Sequence, residues 1–189
     1  PPQELVKVEA LRYLYLTNLN QAKLPDSKVT PARRKILMLT DYDRNVSVDQ
    51  VRMLGRTMKE GAISSPVFIT IKPHPNLDIA KIASAYLPAG SYEITNAPLS
   101  ELLSDAHVAY TSNFTSASLD TSYCKIPTII ALSGAQINMS PLRGVPGVTF
   151  VTNPSELAEA INNPKLPNLP DNYFYLNNDF RLWRKLLEH

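Results

Sequence analysis

Six short, continuous apolar runs constrain the fold of this chain more than any other feature of its sequence. The runs lie at 35–41, 67–72, 92–95, 107–110, 127–132 and 148–151, and helix-like segments separate them. Strands that are buried on both faces of a parallel sheet read as unbroken apolar runs. The pattern therefore predicts a parallel sheet with helices covering both faces.

Right-handed crossovers between such strands predict an α/β fold, a doubly wound and mostly parallel six-stranded sheet of the Rossmann-like kind. We expect three regions before the last two residues: an amino-terminal helix and linker, the Rossmann-like domain, and a proline-rich tail with a closing helix. Their bounds are 1–30, 31–163 and 164–187. Helices are predicted at 3–19, 51–58, 78–86, 98–103, 115–123, 153–161 and from 179 onwards.

Composition limits the function classes. The 189 residues are 44% apolar and carry a formal net charge of +2, which favours one packed domain and argues against a nucleic-acid binder. Cys124 is the only cysteine, so neither an intrachain disulfide nor a cysteine metal site is expected. The start Pro1–Gln3 and the ending Leu187–His189, which resembles a histidine-tag remnant at 188–189, lead us to expect a piece of a longer protein.

The second apolar run ends in Lys72-Pro73-His74-Pro75. Ligands of open parallel sheets bind at the carboxyl ends of strands, so a cation and an imidazole at this point could hold a phosphate. The two prolines fix the backbone around His74, so that the imidazole is placed at small entropic cost. The alternative is a strand-ending turn with a surface histidine, and the sequence weighs the two about equally.

A hydroxyl-rich segment, 111–118, follows the fourth run directly. Thr115 or Ser116 could cap the next helix, whose first free amides would attract an anion at the same sheet edge. Simple capping needs only one of these hydroxyls. After the first run, Asp41 and Asp43 could ligate a metal or act as bases, but two acids in a polar loop are more often solvated.

The chain contains no GxGxxG pattern and no nucleophile elbow, which argues against a classical NAD-binding domain and against a serine hydrolase. We expect no cofactor and no metal. A flavodoxin-like receiver or ligand-sensing module stays open because Asp41 follows the first strand. The predicted fifth strand, however, ends Ala131-Leu132-Ser133 without the lysine that a receiver requires.

Ile71-Lys72-Pro73-His74-Pro75, followed about forty residues later by 111–116, resembles the His-Pro and Ser/Thr motifs of bacterial GT-B glycosyltransferases. Sialyl- and Kdo-transferases of surface polysaccharides (O-antigen or capsule) and CDP-glycerol polymerases carry similar pairs. The likeness extends over 35–162 and to the closing helix with Phe180 and Trp183. It implies one half of a GT-B fold, the domain that binds the nucleotide-sugar donor, with a CMP-sugar as the expected donor.

The resemblance also implies residue roles. His74 would be the catalytic residue, which contacts the phosphate and assists departure of the leaving group. Ser112, Thr115 and Ser116 would bind the same phosphate, and Lys72 would add charge. The stretch 95–99 would border the base and ribose. The remaining expected substrate contacts are Pro75, Asn96 and Glu101, the last of these at the ribose hydroxyls.

In such enzymes the acceptor site and the general base lie in an amino-terminal domain, which we expect to be missing here. The isolated domain would then be inactive or nearly so. Its expected partners are a nucleotide-sugar donor and that acceptor domain, not nucleic acid. We expect a cytoplasmic protein, with peripheral association of the full-length protein at the inner membrane face left open. A nucleotide-sugar epimerase half-domain is the alternative within the same architecture.

Overall fold

A single six-stranded sheet organises the protein in a computed structural model that describes residues 6–19, 32–132 and 137–188. The strands are β1 (Arg34–Leu39), β2 (Val67–Lys72), β3 (Tyr92–Ile94), β4 (Val108–Ser112), β5 (Thr128–Ala131) and β6 (Thr149–Val151). Their order is β3-β2-β1-β4-β5-β6, and every neighbouring pair is parallel. This is the Rossmann strand order, and it confirms the predicted fold class.

Helices connect the strands and cover both faces of the sheet. They are α1 (Leu16–Leu19), α2 (Arg44–Lys59), α3 (Ala80–Tyr86), α4 (Leu99–Leu102), α5 (Ala117–Tyr123), α6 (Pro154–Asn162) and α7 (Arg181–Leu187), with short 3₁₀ helices at Leu11–Tyr13 and Leu103–Asp105. Local sequence sets the ends of the longest ones. Asp43 caps α2 by accepting from two backbone amides, and Asn153 caps α6 directly before Pro154. No helix in these described stretches has the length and apolar character that crossing a membrane requires.

Two apolar layers hold the sheet. On one face, α2, α3 and α6 pack on alternate strand residues such as Ile36, Ile69 and Val108. On the opposite face, Leu37 and Leu39 pack with Leu16 of α1 and with residues of the segment before β4 and around α5. The central strands β4 and β5 are therefore buried on both sides, as their continuous apolar character predicts, whereas the edge strand β3 is largely exposed.

The prediction of one helix over 3–19 is wrong within the described residues 6–19. Residues 6–10 are not helical, and only the two short helices at Leu11–Tyr13 and Leu16–Leu19 follow. The reason is tertiary: Glu9 turns towards α7 and pairs with its backbone instead of continuing a helix. The predicted linker at 20–30 lies outside the described residues.

Strand β4 reaches two residues further than predicted, and this changes the site. Thr111 and Ser112 belong to the sheet and pair with β5 across the register Thr111–Ile130 and Ser112–Ala131. Helix α5 correspondingly begins at Ala117 rather than at Thr115. The hydroxyl-rich segment is thus divided between a strand end, a short loop and a helix start.

Gly147 tests how tightly the carboxyl-terminal tail packs. It has φ +83°, and a Cβ there would lie 1.9 Å from the carbonyl oxygen of Leu166, whereas a Cβ at Gly144 (φ +76°) would meet nothing within 4 Å. We expect Gly144→Ala to cost roughly 1–2 kcal/mol of left-handed strain and Gly147→Ala a further ~1–3 kcal/mol of overpacking. Urea unfolding followed by circular dichroism measures both, and equal losses would contradict the packing described.

Candidate functional site

A cleft of about 490 Å³ opens at the carboxyl edge of the sheet, where β1 and β2 end and the loop after β4 begins. Its size is typical of a small-molecule site, about 300–1,000 Å³. It lies beside the switch point of the sheet, where the connection from β1 runs to one side and the connection from β4 to the other, the usual ligand position in open α/β sheets. The residues that line it are Arg12, Tyr15, Leu39, Thr40, Lys72, Pro73, His74, Pro75, Leu99, Ser100, Thr115, Ala117 and Asp120.

His74 is fixed to the ends of two strands. Its backbone amide donates to the hydroxyl of Thr40, which follows β1, over 2.9 Å. Its Nδ1 accepts a long hydrogen bond, 3.4 Å, from the amide of Asn76. In the neutral ring this leaves the proton on Nε2, so that the imidazole can donate from its far edge. The half-buried side chain lines the cleft.

Lys72 ends β2 and also lines the cleft. Its Nζ donates to the carbonyl oxygen of Ala97 over 2.8 Å. This bond ties the loop between β3 and α4 to the end of β2. An ammonium carries three protons, so Lys72 can serve this loop and an anion at once.

The structure assigns Ser112 to a different task from the phosphate contact expected of it. Ser112 is buried, and its hydroxyl donates to the carboxylate of Asp41. The other carboxylate oxygen of Asp41 accepts from the amide of Asp43 over 2.9 Å. Ser112 therefore joins β4 to the loop after β1 and is not among the residues that line the cleft.

The carboxylates of Asp41 and Asp43 both accept hydrogen bonds from neighbouring parts of the protein. Asp41 is only 1% exposed and holds Ser112, while Asp43 caps α2. A receiver needs an accessible acid at this point and the flavodoxin-like strand order, which has one strand beyond β1 on the side of β2. Here β2 and β3 both lie on that side. The receiver alternative thus loses the support that Asp41 gave it, and the strand order does not fit it.

Of the two remaining hydroxyls, Thr115 lines the cleft and Ser116 is not among the lining residues. Thr115 Oγ1 accepts from the amide of Ala117 over 3.3 Å, so its hydroxyl proton remains available to a ligand. Ser116 occupies the position before α5 without a side-chain capping bond. The adjoining Asn113 is buried and fastens this loop to the chain after β5 through the amides of Met139 and Ser140.

Two further expected contacts lie away from the cleft. Asn96 is exposed in the loop after β3 and is not among the lining residues. Glu101 lines a separate groove of about 90 Å³, together with Lys35 and Glu93. Helix α4 is only one turn long and passes into a 3₁₀ helix, so Glu101 is turned from the cleft while Leu99 and Ser100 face it. Pro75, by contrast, lines the cleft as expected.

Asp120, which the sequence reasoning missed, lies at the wall of the cleft. It is 3% exposed, and the hydroxyl of Tyr15 donates to its carboxylate. Burial raises the pKa of Asp120, although the bond from Tyr15 and the charge of Arg12 act against that rise. Burial and the neighbouring carboxylate likewise raise the pKa of Tyr15. One signal was available: between Asp105 and Lys125, Asp120 is the only Asp, Glu, Lys or Arg.

The residues that line the cleft carry more positive than negative charge. Among the described residues, Arg12 and Lys72 contribute two cations and His74 an imidazole, against the single carboxylate of Asp120. The polar groups also come from separate elements, which surround the space rather than form one patch. Such a lining suits a ligand with an anionic part and a hydroxyl-bearing part.

The sequence matches no protein-family model and no curated protein. Solved structures do resemble the fold. A UDP-GlcNAc 2-epimerase from Methanocaldococcus jannaschii matches with a TM-score of 0.58 and 15% identity over 93% of this chain and 50% of that one. WaaG, a glycosyltransferase of lipopolysaccharide biosynthesis, matches with a TM-score of 0.52 and 10% identity over 86% of this chain and 48% of that one.

A third similar structure is the glycosyltransferase SnogD from Streptomyces nogalater, with a TM-score of 0.50 and 13% identity over 75% of this chain. The chain spans between 38% and 50% of the length of these three proteins. At such identities the likeness shows the fold alone. The fold is that of one Rossmann-like half of a GT-B protein.

Proposed function

We propose that this domain binds the nucleotide of a nucleotide-sugar donor and forms the donor half of a glycosyltransferase. One observation carries the proposal: Lys72, His74 and Thr115 line the same cleft although they come from two strands that are not neighbours. Lys72 ends β2 and His74 follows it, Thr115 lies in the loop after β4, and β1 separates these strands. A cation, an imidazole donor and a hydroxyl together match the needs of a phosphate group.

His74 supplies the chemistry in this proposal. Its Nε2–H donates to the phosphate that leaves with the nucleotide, and in the protonated state it neutralises the charge that develops there. General acid assistance of this kind contributes about 10²–10⁴ in rate. The bond from the His74 amide to Thr40 fixes the loop, so little ordering is needed when the ligand binds.

Asp120 takes the hydroxyl-bearing part of the ligand. Its carboxylate lines the cleft beside Tyr15, and a carboxylate is an acceptor for sugar hydroxyls. We therefore propose Asp120 for the recognition of ribose or sugar hydroxyls, a role that the sequence resemblance suggested for Glu101. Glu101 faces a different groove.

The finer assignment rests on the motif resemblance. It favours a CMP-sugar donor and a role in bacterial surface-polysaccharide synthesis, with the general base and the acceptor site supplied by a second domain. Without that domain, little transfer activity is expected. WaaG, similar in fold, acts in lipopolysaccharide biosynthesis.

A nucleotide-sugar epimerase half-domain is the second candidate. The epimerase from M. jannaschii covers 93% of this chain, and one of its structures contains UDP-GlcNAc and UDP. Both candidates use the same cleft but differ in the base that they prefer. Stronger binding of uridine than of cytidine nucleotides would favour the epimerase.

Isothermal titration with CMP, CDP, UMP, UDP and NAD tests the donor site. We expect cytidine nucleotides to bind and NAD not to, because no glycine-rich loop is present. His74→Ala should weaken binding about tenfold or more, since it removes a hydrogen bond to a charged group. Lys81→Ala, an exposed substitution on α3, is the control and should change nothing.

Two outcomes of this titration would contradict the proposal. The first is the absence of binding for every nucleotide, together with a magnesium-dependent response to a phosphoryl mimic that Asp41→Asn abolishes. The second is a loss in Lys81→Ala as large as that in His74→Ala. Glu101→Gln separates the two carboxylates proposed for hydroxyl recognition. An unchanged nucleotide affinity in this variant would exclude Glu101 and leave Asp120 as the candidate.

Asp120→Asn tests the buried carboxyl through pH. Because its pKa is raised in the folded state, the wild-type carboxyl favours folding most below about pH 4, its unfolded-state pKa, and this contribution is lost as pH rises through the folded pKa. The amide cannot ionise but still accepts from Tyr15. The unfolding free energy of the variant should therefore rise relative to wild type from about pH 4 upwards. Urea unfolding across this pH range measures the difference in unfolding free energy. Parallel pH profiles of the variant and the wild type would contradict a raised pKa at Asp120.

A further inference from the structure

The amino-terminal segment 6–19, here called the strap, is joined to α7 by a buried carboxylate. Glu9 is 1% exposed; its two carboxylate oxygens accept from the amides of Leu182 (2.9 Å) and Trp183 (3.1 Å). The indole of Trp183 donates to the backbone oxygen of Glu9 over 2.9 Å. Phe180, before the helix, has φ +52° and provides no side-chain cap. Glu9 therefore caps α7 from more than 170 residues away.

This cap is ionic under ordinary conditions. Burial alone would raise the pKa of the Glu9 carboxyl, but the backbone amides that it accepts from outweigh burial and lower it. The charge also complements the positive end of the helix. A neutral amide at this position would offer only one acceptor oxygen to two amide donors.

The strap is anchored a second time beyond Glu9. Leu16 is fully buried against Leu37 and Leu39 of β1. Tyr15, one residue earlier, donates to Asp120 inside the cleft. Between the two anchors lies Arg12, which also lines the cleft. Its backbone is thus held from both sides while its guanidinium is exposed.

The positive charge of Arg12 favours the ionised form of Asp120 at the wall of the cleft. None of the ion pairs found within residues 6–19, 32–132 and 137–188 involves Arg12, and its contact there is a guanidinium 5.6 Å from the ring centroid of Tyr13. A guanidinium reads phosphate oxygens in pairs, and holding its backbone in advance lowers the cost of binding. It shares the cleft with Lys72 and His74, which the first phosphate occupies in the proposed function.

We propose that Arg12 contacts a second anionic group of the ligand, beyond the phosphate at His74, and that Glu9 is the positioning residue that holds the strap for this contact; the β-phosphate of CDP serves as the probe for that group. The inference rests on the proposed function, since it assigns a second contact in the same nucleotide site. It extends the site beyond the sheet edge to an element that the sequence predicts as an independent helix.

Comparison of CMP with CDP isolates the second anionic group. In the 189-residue protein, we expect CDP to bind more tightly than CMP and Arg12→Ala to weaken CDP about tenfold while changing CMP much less. Arg12→Lys should restore part of the CDP affinity, because it keeps the charge but not the fork of donors. If both nucleotides bind, respond to His74→Ala and ignore Arg12→Ala, this inference fails alone. If no nucleotide binds, the proposed function fails with it.

Glu9→Gln tests the positioning role, and Glu156→Gln is its matched control. Glu156 also accepts a backbone amide, that of Thr152, but it lies in the groove of β6 and α6, apart from the cleft. Both variants should lower the unfolding free energy. Only Glu9→Gln should reduce the ratio of CDP to CMP affinity. In a protein that already carries Arg12→Ala, adding Glu9→Gln should leave this ratio unchanged.

A milder variant covers the case in which Glu9→Gln does not fold. Trp183→Phe removes only the indole bond to the Glu9 backbone and should give a smaller change of the same ratio. An unchanged ratio in both folded variants would overturn the positioning role. A ratio that falls as far in Glu156→Gln would overturn it too, because the effect would then follow stability alone.

Discussion

The parallel pairing of β1 with β2 on one side and β4 on the other determines the rest of the structure. Its register sets Leu39 beside Lys72 and, across the strand, beside Thr111. Every loop that leaves these strands at the carboxyl edge therefore starts one or two strand spacings from the others. The cleft exists because the connections from β1 and β4 run to opposite sides, and its polar lining follows from which residues end each strand or come directly after it.

The sheet was predictable because its signal is local. Strand β2 has the predicted bounds, and each of the six strands overlaps a predicted one, although β3 contains the charged Glu93. The position of His74 follows from the same reasoning, since a residue two positions after the end of a strand must lie near the carboxyl edge of the sheet. His74, Lys72 and Thr115 line the same cleft, and their role in binding a phosphate stays a prediction.

The rest depends on contacts between residues distant in sequence. Ser112 is drawn from the cleft by Asp41, 71 residues earlier, and no local pattern reports that bond. Glu9 leaves a helical pattern because α7, at the other end of the chain, offers two uncapped amides. Tyr15 and Asp120 meet across 105 residues. Each of these contacts satisfies a buried polar group, and such needs outweigh helix propensity.

Fold and site carry different information in this protein. The Rossmann-like half occurs in glycosyltransferases and in an epimerase alike, so its architecture does not select a reaction. Selection comes from side chains: two cations, an imidazole and one carboxylate around a single cleft. Lys72 ends β2, His74 lies in the loop that follows it, and Asp120 lies in α5. Arg12 comes from the strap.

Amide chemical-shift mapping with CDP and UDP tests the central claim most directly, because it locates the ligand without presuming a reaction. The largest shifts should fall at 12–15, 39–40, 72–75 and 115–120, segments that line the cleft. The groove of β6 and α6, at 149–165, should remain unaffected. Shifts concentrated in that groove, or no shifts at saturating nucleotide, would contradict the central claim.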